Sequence, residues 1–168
     1  MSILIAYFSK DGGNSVDGLT KNLEKGNTEI VAEKIAKLTG GELYPLIPVE
    51  PYSSSYLATT ERARKEAEEG AFPAIANLKD SIAQYDVIYL GFPNWYRSYP
   101  RIVATFLKSF DFTGKIIKPF CTNEEGAFGI GELELRATLK GANLKEGYAV
   151  KGSEVDNCDL ELSAWVNK

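Results

Sequence analysis

Short apolar runs alternate with longer stretches of helical period along this chain. Ser2 to Phe8 is apolar and reads as a buried strand. Thr28 to Leu38 follows with Val31, Ile35 and Leu38 on one face, which predicts a helix. Asn27 or Thr28 can cap it, Glu29 suits its first turn, and Gly40-Gly41 ends it. Glu42 to Ile47 is a second strand, stopped by Pro48 and Pro51. Leu57 to Glu69 is a charged helix with few large apolar residues, so it belongs at the surface. Asp86 to Phe92 is nearly continuous in apolar residues, as parallel strands buried on both faces are. Arg101 to Phe110 is a helix with Pro100 at its first turn and Ile102, Val103, Phe106, Leu107 and Phe110 turned inward. A strand over Lys115 to Thr122, a helix over Glu132 to Lys140, a strand over Asn143 to Val150 and a helix over Asp159 to Val166 complete the series. Strand and helix alternate five times. That order indicates an α/β sandwich with a parallel sheet and right-handed crossovers. With no internal repeat and no linker composition, residues 1–168 read as one domain.

One spacing breaks the pattern. A β-α turn in such a unit usually takes about 2–6 residues. Here the polar, Gly-rich segment from Ser9 to Asn27 separates the first strand from the first helix. It is a linker, an extra arm, or a binding loop that has been stretched.

Composition narrows the chemistry. A chain of 168 residues with 44% hydrophobic and 25% charged residues is an ordinary globular domain. A net charge of −4 is the opposite of the basic footprint of a nucleic-acid binder. No apolar run approaches the ~20 residues of a membrane span, and no signal peptide precedes the first strand. The expectation is a cytoplasmic protein. Cys121 and Cys158 do not make a disulfide framework. There is no histidine. A Ser-His-Asp or Cys-His nucleophile is therefore excluded, as is a zinc site built on imidazole. Any chemistry falls to a bound cofactor.

Ligands of an open parallel sheet bind outside the carboxyl ends of the strands. Three loops lie there. The first carries Ser9 and Lys10, then, after the long segment, Gly26-Asn27-Thr28 at a helix start. Such a start offers free N–H groups and favours a phosphate, although an ordinary capped helix has the same residues. It is not a Walker A loop, because Leu19 stands where lysine should follow Gly18. The second loop, "PNWYRSYP", places Trp95 and Tyr96 where large rings suit stacking on a planar ligand, or a neighbouring loop or protein surface. The third, "CTNEEGAFG", has glycines that let backbone approach a ligand closely. Cys121 reads as a buried strand-end thiol. Tyr52 and Tyr56 either cover the ligand or form a surface tyrosine loop, and Arg97 faces a ligand phosphate or solvent.

Together, "LIAYFS…GNT", "GFPNWY" and "KPFCTNEEGAFG" resemble the flavodoxin-like FMN-binding proteins, in particular the short-chain group whose phosphate loop is split by an insert. The resemblance runs from Ile3 to about Val155. It implies a three-layer sandwich on a five-stranded parallel sheet of order 2-1-3-4-5. It implies that Ser9, Lys10, Gly26, Asn27 and Thr28 cradle the FMN phosphate. Pro93, Asn94, Trp95 and Tyr96 would flank the ring, and Thr122, Asn123, Glu124, Gly126 and Gly129 would hold its outer edge. Relatives often carry histidine where this chain has Asn123, which removes a proton donor there. The implied function is an FMN-dependent oxidoreductase that passes electrons or hydride from NAD(P)H to a small acceptor such as a quinone. The alternative is a flavodoxin proper, a one-electron carrier docking on redox partner proteins. Either is a monomer or a homodimer. A response-regulator receiver would need paired acidic residues where Tyr7-Phe8-Ser9 stand.

Overall fold

A computed structural model describes residues 1–168. The strands are β1 (Ile3–Tyr7), β2 (Gly12–Val16), β3 (Leu19–Leu23), β4 (Glu42–Pro45), β5 (Val87–Pro93), β6 (Ile116–Asn123), β7 (Asn143–Leu144) and β8 (Tyr148–Lys151). The helices are α1 (Asn27–Thr39), α2 (Tyr56–Glu69), α3 (Arg101–Ser109), α4 (Gly131–Thr138) and α5 (Asp159–Val166). The main sheet runs β4-β1-β5-β6, and both β7 and β8 pair with the far edge of β6. All of these pairings are parallel.

The sheet thus has six strands, not the five expected, because the last position is filled by two short segments. The cause lies in β6. The Ile117 carbonyl accepts from Lys145 N at 2.9 Å, so Ile117 faces the edge position. Residues alternate along a strand, so Pro119 faces the same way, and it has no N–H to give. The ladder breaks there. Lys145 to Gly147 leaves the sheet with its polar groups paired elsewhere: Trp165 Nε1 donates to the Glu146 carbonyl at 2.9 Å, and Gly147 N donates to Glu132 Oε1 at 3.1 Å.

Strand alternation builds two cores. Leu4, Ala6 and Phe8 point to one face with Ile88, Leu90 and Phe92, under α3 and α4. Ile5, Tyr7, Val87 and Tyr89 point to the other, under α1 and α5. In α1, Val31, Ala32 and Ile35 are buried, whereas Leu38 lies exposed in the last turn. In α2 only Thr59 and Ala63 are buried, as its charged sequence implied.

The long segment after β1 is an arm. β2 and β3 pair antiparallel around Asp17-Gly18, whose φ values of 54° and 74° are those of a tight hairpin turn. The Asp-Gly pair between Val16 and Leu19 is its sequence signal. Gly13 N donates to the Ser54 carbonyl at 2.8 Å, Val16 is buried, and Asp17 N donates to the Glu124 carboxylate. The arm therefore spans from the loop after β4 to the loop after β6.

The ring of Phe120, the register partner of Gly91 on β6, lies over Gly91, and a Cβ there would strike it. Phe120 is fully buried and has nowhere to go. Gly91→Ala should lower stability by about 1–3 kcal/mol in chemical denaturation. Replacing Gly12–Leu23 by a short turn should, in contrast, leave cooperative unfolding intact, since the arm buries only Val16.

Candidate functional site

β1 lies between β4 and β5, so successive connections leave it in opposite directions. Its carboxyl end is the switch point of the sheet, where a ligand crevice forms. A cleft of about 320 Å³ opens there. From the first loop it is lined by Lys10, Asn27 and Thr28; from the second by Pro93, Asn94 and Trp95; from the third by Thr122, Asn123 and Glu124. A second cleft of about 270 Å³ adjoins it and shares Lys10, Asn14, Tyr56, Asn94 and Trp95. Tyr96 lines only this second cleft, with Thr59, Thr60 and Ala63 of α2.

Four other predicted residues stand back from both clefts. Ser9 Oγ accepts from Glu29 N at 3.0 Å, so it caps α1 from a distance in sequence. Gly26 is the N-cap position of α1 and packs against the Ser9 hydroxyl and the Lys10 carbonyl, leaving no room for a Cβ. Gly126 N donates to Asn123 Oδ1. Gly129, at φ 60°, lies directly on the Arg97 carbonyl. These four shape the loops and do not line the space. Asn123 lines it, but its amide is engaged with Gly126 and Ala127 of its own loop.

The lining is polar at one end and aromatic at the other. The Thr28 and Thr122 hydroxyls are 2.8 Å apart beside the first turn of α1. Asn94 Nδ2 donates to the Ala127 carbonyl at 3.1 Å, while Asn94 Oδ1 is buried with no partner. Lys10 is 7% exposed, its ammonium donates to the Asp11 carbonyl, and it makes no salt bridge. Burial pulls its pKa below the usual lysine value. Trp95 packs edge-on against Phe8 and Tyr52, each at 5.2 Å between centroids. Tyr52 is itself fixed by Glu66, which accepts its hydroxyl at 2.7 Å, and by Arg62, 3.8 Å over its ring. Burial pushes the Cys121 thiol up to about 12, which leaves it inert.

The flavodoxin family model matches residues 2–168. The chain belongs to the flavodoxin family. Among solved structures it is similar to a candidate flavoprotein from Bacteroides uniformis ATCC 8492, at 29% identity over 99% of this chain and 98% of that one, with a TM-score of 0.77. A candidate flavoprotein from Bacteroides eggerthii DSM 20697 is 30% identical over 97% of this chain and 98% of that one, with a TM-score of 0.71. A flavoprotein in complex with FMN from Lactobacillus acidophilus NCFM shares the fold at 23% identity, over 92% of this chain and 96% of that one, with a TM-score of 0.65. No match was found among curated protein sequences.

In this flavodoxin-family chain, the stretched segment whose role the sequence left open brings Asn14 and Ser15 to the cleft, whereas Glu125 of the third loop and Gly152 after β8 were not singled out. Gly152 has no local signal; it lies beside Asn27 only because β8 pairs with β6. Of the residues left open, Tyr56 and Arg97 line the cleft, and Tyr52 stands behind Trp95.

The loop after β5 is also strained. Trp95 and Ser98 exchange backbone hydrogen bonds of 2.8 and 3.2 Å around Tyr96-Arg97. Both central residues are left-handed, at φ 50° and 67°, in a turn that favours Asn-Gly. Ile130 N holds the Arg97 carbonyl at 2.7 Å, and Tyr96 hydroxyl donates to the Thr60 carbonyl at 2.9 Å. Such residues cost on the order of 1 kcal/mol or more each. The double variant Tyr96→Asn, Arg97→Gly should therefore raise stability by about 1–2 kcal/mol in denaturant titration.

Proposed function

We propose that the two adjoining clefts are the site of an FMN-dependent oxidoreductase. The family match supports FMN as the cofactor, and the lining residues fit it. The start of α1 offers free N–H groups and the Asn27 and Thr28 side chains to a phosphate. The unpartnered Asn94 Oδ1 offers a buried acceptor to a ring N–H, and Trp95 offers a fixed aromatic wall. Bound FMN supplies the redox chemistry, taking electrons from a reduced donor such as NAD(P)H and passing them to a small acceptor such as a quinone. The residues around it bind, orient and exclude water. None is required to act as acid or base, since the flavin carries the redox chemistry; histidine is absent, and burial keeps the Cys121 thiol protonated.

The observation that carries the enzymatic reading is the second cleft. It opens beside the first, is walled by Tyr56, Trp95 and Tyr96, and has the small residues Thr59, Thr60 and Ala63 on its α2 side. A planar acceptor fits such a space. A carrier reading draws on Glu124 and Glu125 at the first cleft and on the net charge of −4, which suit a basic partner protein. No helix is long and apolar enough to cross a membrane.

Purified protein should be yellow and release FMN on denaturation. It should oxidise NAD(P)H rapidly when a small quinone is added. Bound FMN with no turnover would support the carrier reading, and failure to bind FMN would overturn both. Trp95→Ala should weaken FMN binding by about 1–3 kcal/mol in fluorescence titration; unchanged affinity would mean that another ring does the stacking.

A further inference from the structure

Lys10 sits in the first loop, three residues after the end of β1, and the family resemblance groups it with the phosphate ligands. The structure places it in the cleft it shares with Asn27 and Thr28 and also in the second cleft, which they do not reach. Its carbonyl lies toward Gly26 at the start of α1, but its side chain leaves in another direction. The ammonium is 3.2 Å from the position that a Cβ on Gly12 would take, and that position lies 3.1 Å from the Ser54 backbone. Lysine is accommodated under the base of the arm because residue 12 has no side chain. Asn14 Nδ2 fixes this geometry by donating to the Lys10 and Gly12 carbonyls at 2.9 and 3.1 Å. Asn27 and Thr28 line only the first cleft. Lys10 lines both, and in the second its neighbours are Tyr56, Trp95, Tyr96 and the α2 residues, with none from α1.

We propose that the Lys10 ammonium is the charge partner of the bound flavin ring and not a ligand of its phosphate. This rests on reading the cleft as an FMN site. A flavin ring that takes up two electrons and one proton gains one negative charge. Aromatic packing by Trp95 and Tyr56 disfavours that charge, and a cation in the same low-dielectric space offsets it. Lys10 is buried and makes no salt bridge; the Asp11 carbonyl and the charge of the Asp11 carboxylate offset part of its desolvation cost, and an arriving negative charge offsets more. The ammonium thus raises the two-electron potential of the site, which favours accepting a hydride from a donor.

Lys10→Met decides the point, with FMN and riboflavin as probes, since riboflavin differs only by lacking the phosphate. The wild-type protein is titrated first. If it binds neither, the flavin reading itself fails, before any variant is compared. With binding in hand, Lys10→Met should keep the wild-type preference for FMN over riboflavin. Its two-electron potential should fall, by about 30 mV for each tenfold loss of affinity for the reduced relative to the oxidised ring, with at least a tenfold loss expected. The apo variant should melt no lower than the wild type, because no ion pair is lost. A collapse of the preference for FMN would make Lys10 a phosphate ligand and overturn the proposal. An unchanged potential would overturn it equally, and a lowered apo melting temperature with that result would mark Lys10 as a brace of the fold.

Discussion

The pairing of β1 on both of its edges is the constraint from which the rest follows. β4 joins one edge and β5 the other, in parallel and in register from Leu4 to Tyr7. Because β1 is buried on both faces and paired on both edges, the chain continues to the rest of the fold only past its carboxyl end. The chain must leave there, the connections on either side must diverge, and a crevice opens between them. Phe8, the first residue past the strand, becomes the floor under Trp95 and Tyr52. Polar groups from α1 gather on one side of that floor and aromatic groups from the loops after β4 and β5 on the other.

The site divides its labour accordingly. The polar end has unspent hydrogen-bonding capacity, at the start of α1 and at Asn94. The aromatic end is rigid, since Trp95 is locked by Phe8 and Tyr52, and Tyr52 by Arg62 and Glu66. Rigidity extends to a turn that two non-glycine residues occupy against their preference, clamped by Gly129 and Ile130. Strain concentrated at one loop and a buried cation without a salt bridge are both costs in the free chain. Each is consistent with surroundings arranged for a bound group and not for stability alone.

Much of this was legible in the sequence. The alternation of apolar runs and helical periods placed β1, β4, β5, β6 and all five helices, and ran β7 and β8 together as one strand, because burial on two faces leaves a direct mark on residue order. The three loops that line the cleft were legible as well, because in this architecture they follow the carboxyl ends of the strands. The arm was less so: Asp17-Gly18 marks a turn, but the flanking residues are mostly polar and exposed, so no apolar alternation announced β2 and β3. The break between β7 and β8 was hidden for a different reason. Pro119 interrupts the ladder only because it faces the edge, and facing is set by register, which one strand alone does not specify.

By itself the sequence determined the order of elements, the two apolar faces of the strands, and the exclusion of imidazole chemistry, since all three depend on local periodicity or on composition. Tertiary structure decided which groups meet. Ser9 turned to cap α1, Gly152 arrived from the other end of the chain, and the Lys10 ammonium came to lie beside Gly12 at the base of the arm. Each of these outcomes depends on contacts between segments far apart in sequence, the arm against Ser54 and β8 against β6, and such contacts exist only once the sheet has assembled.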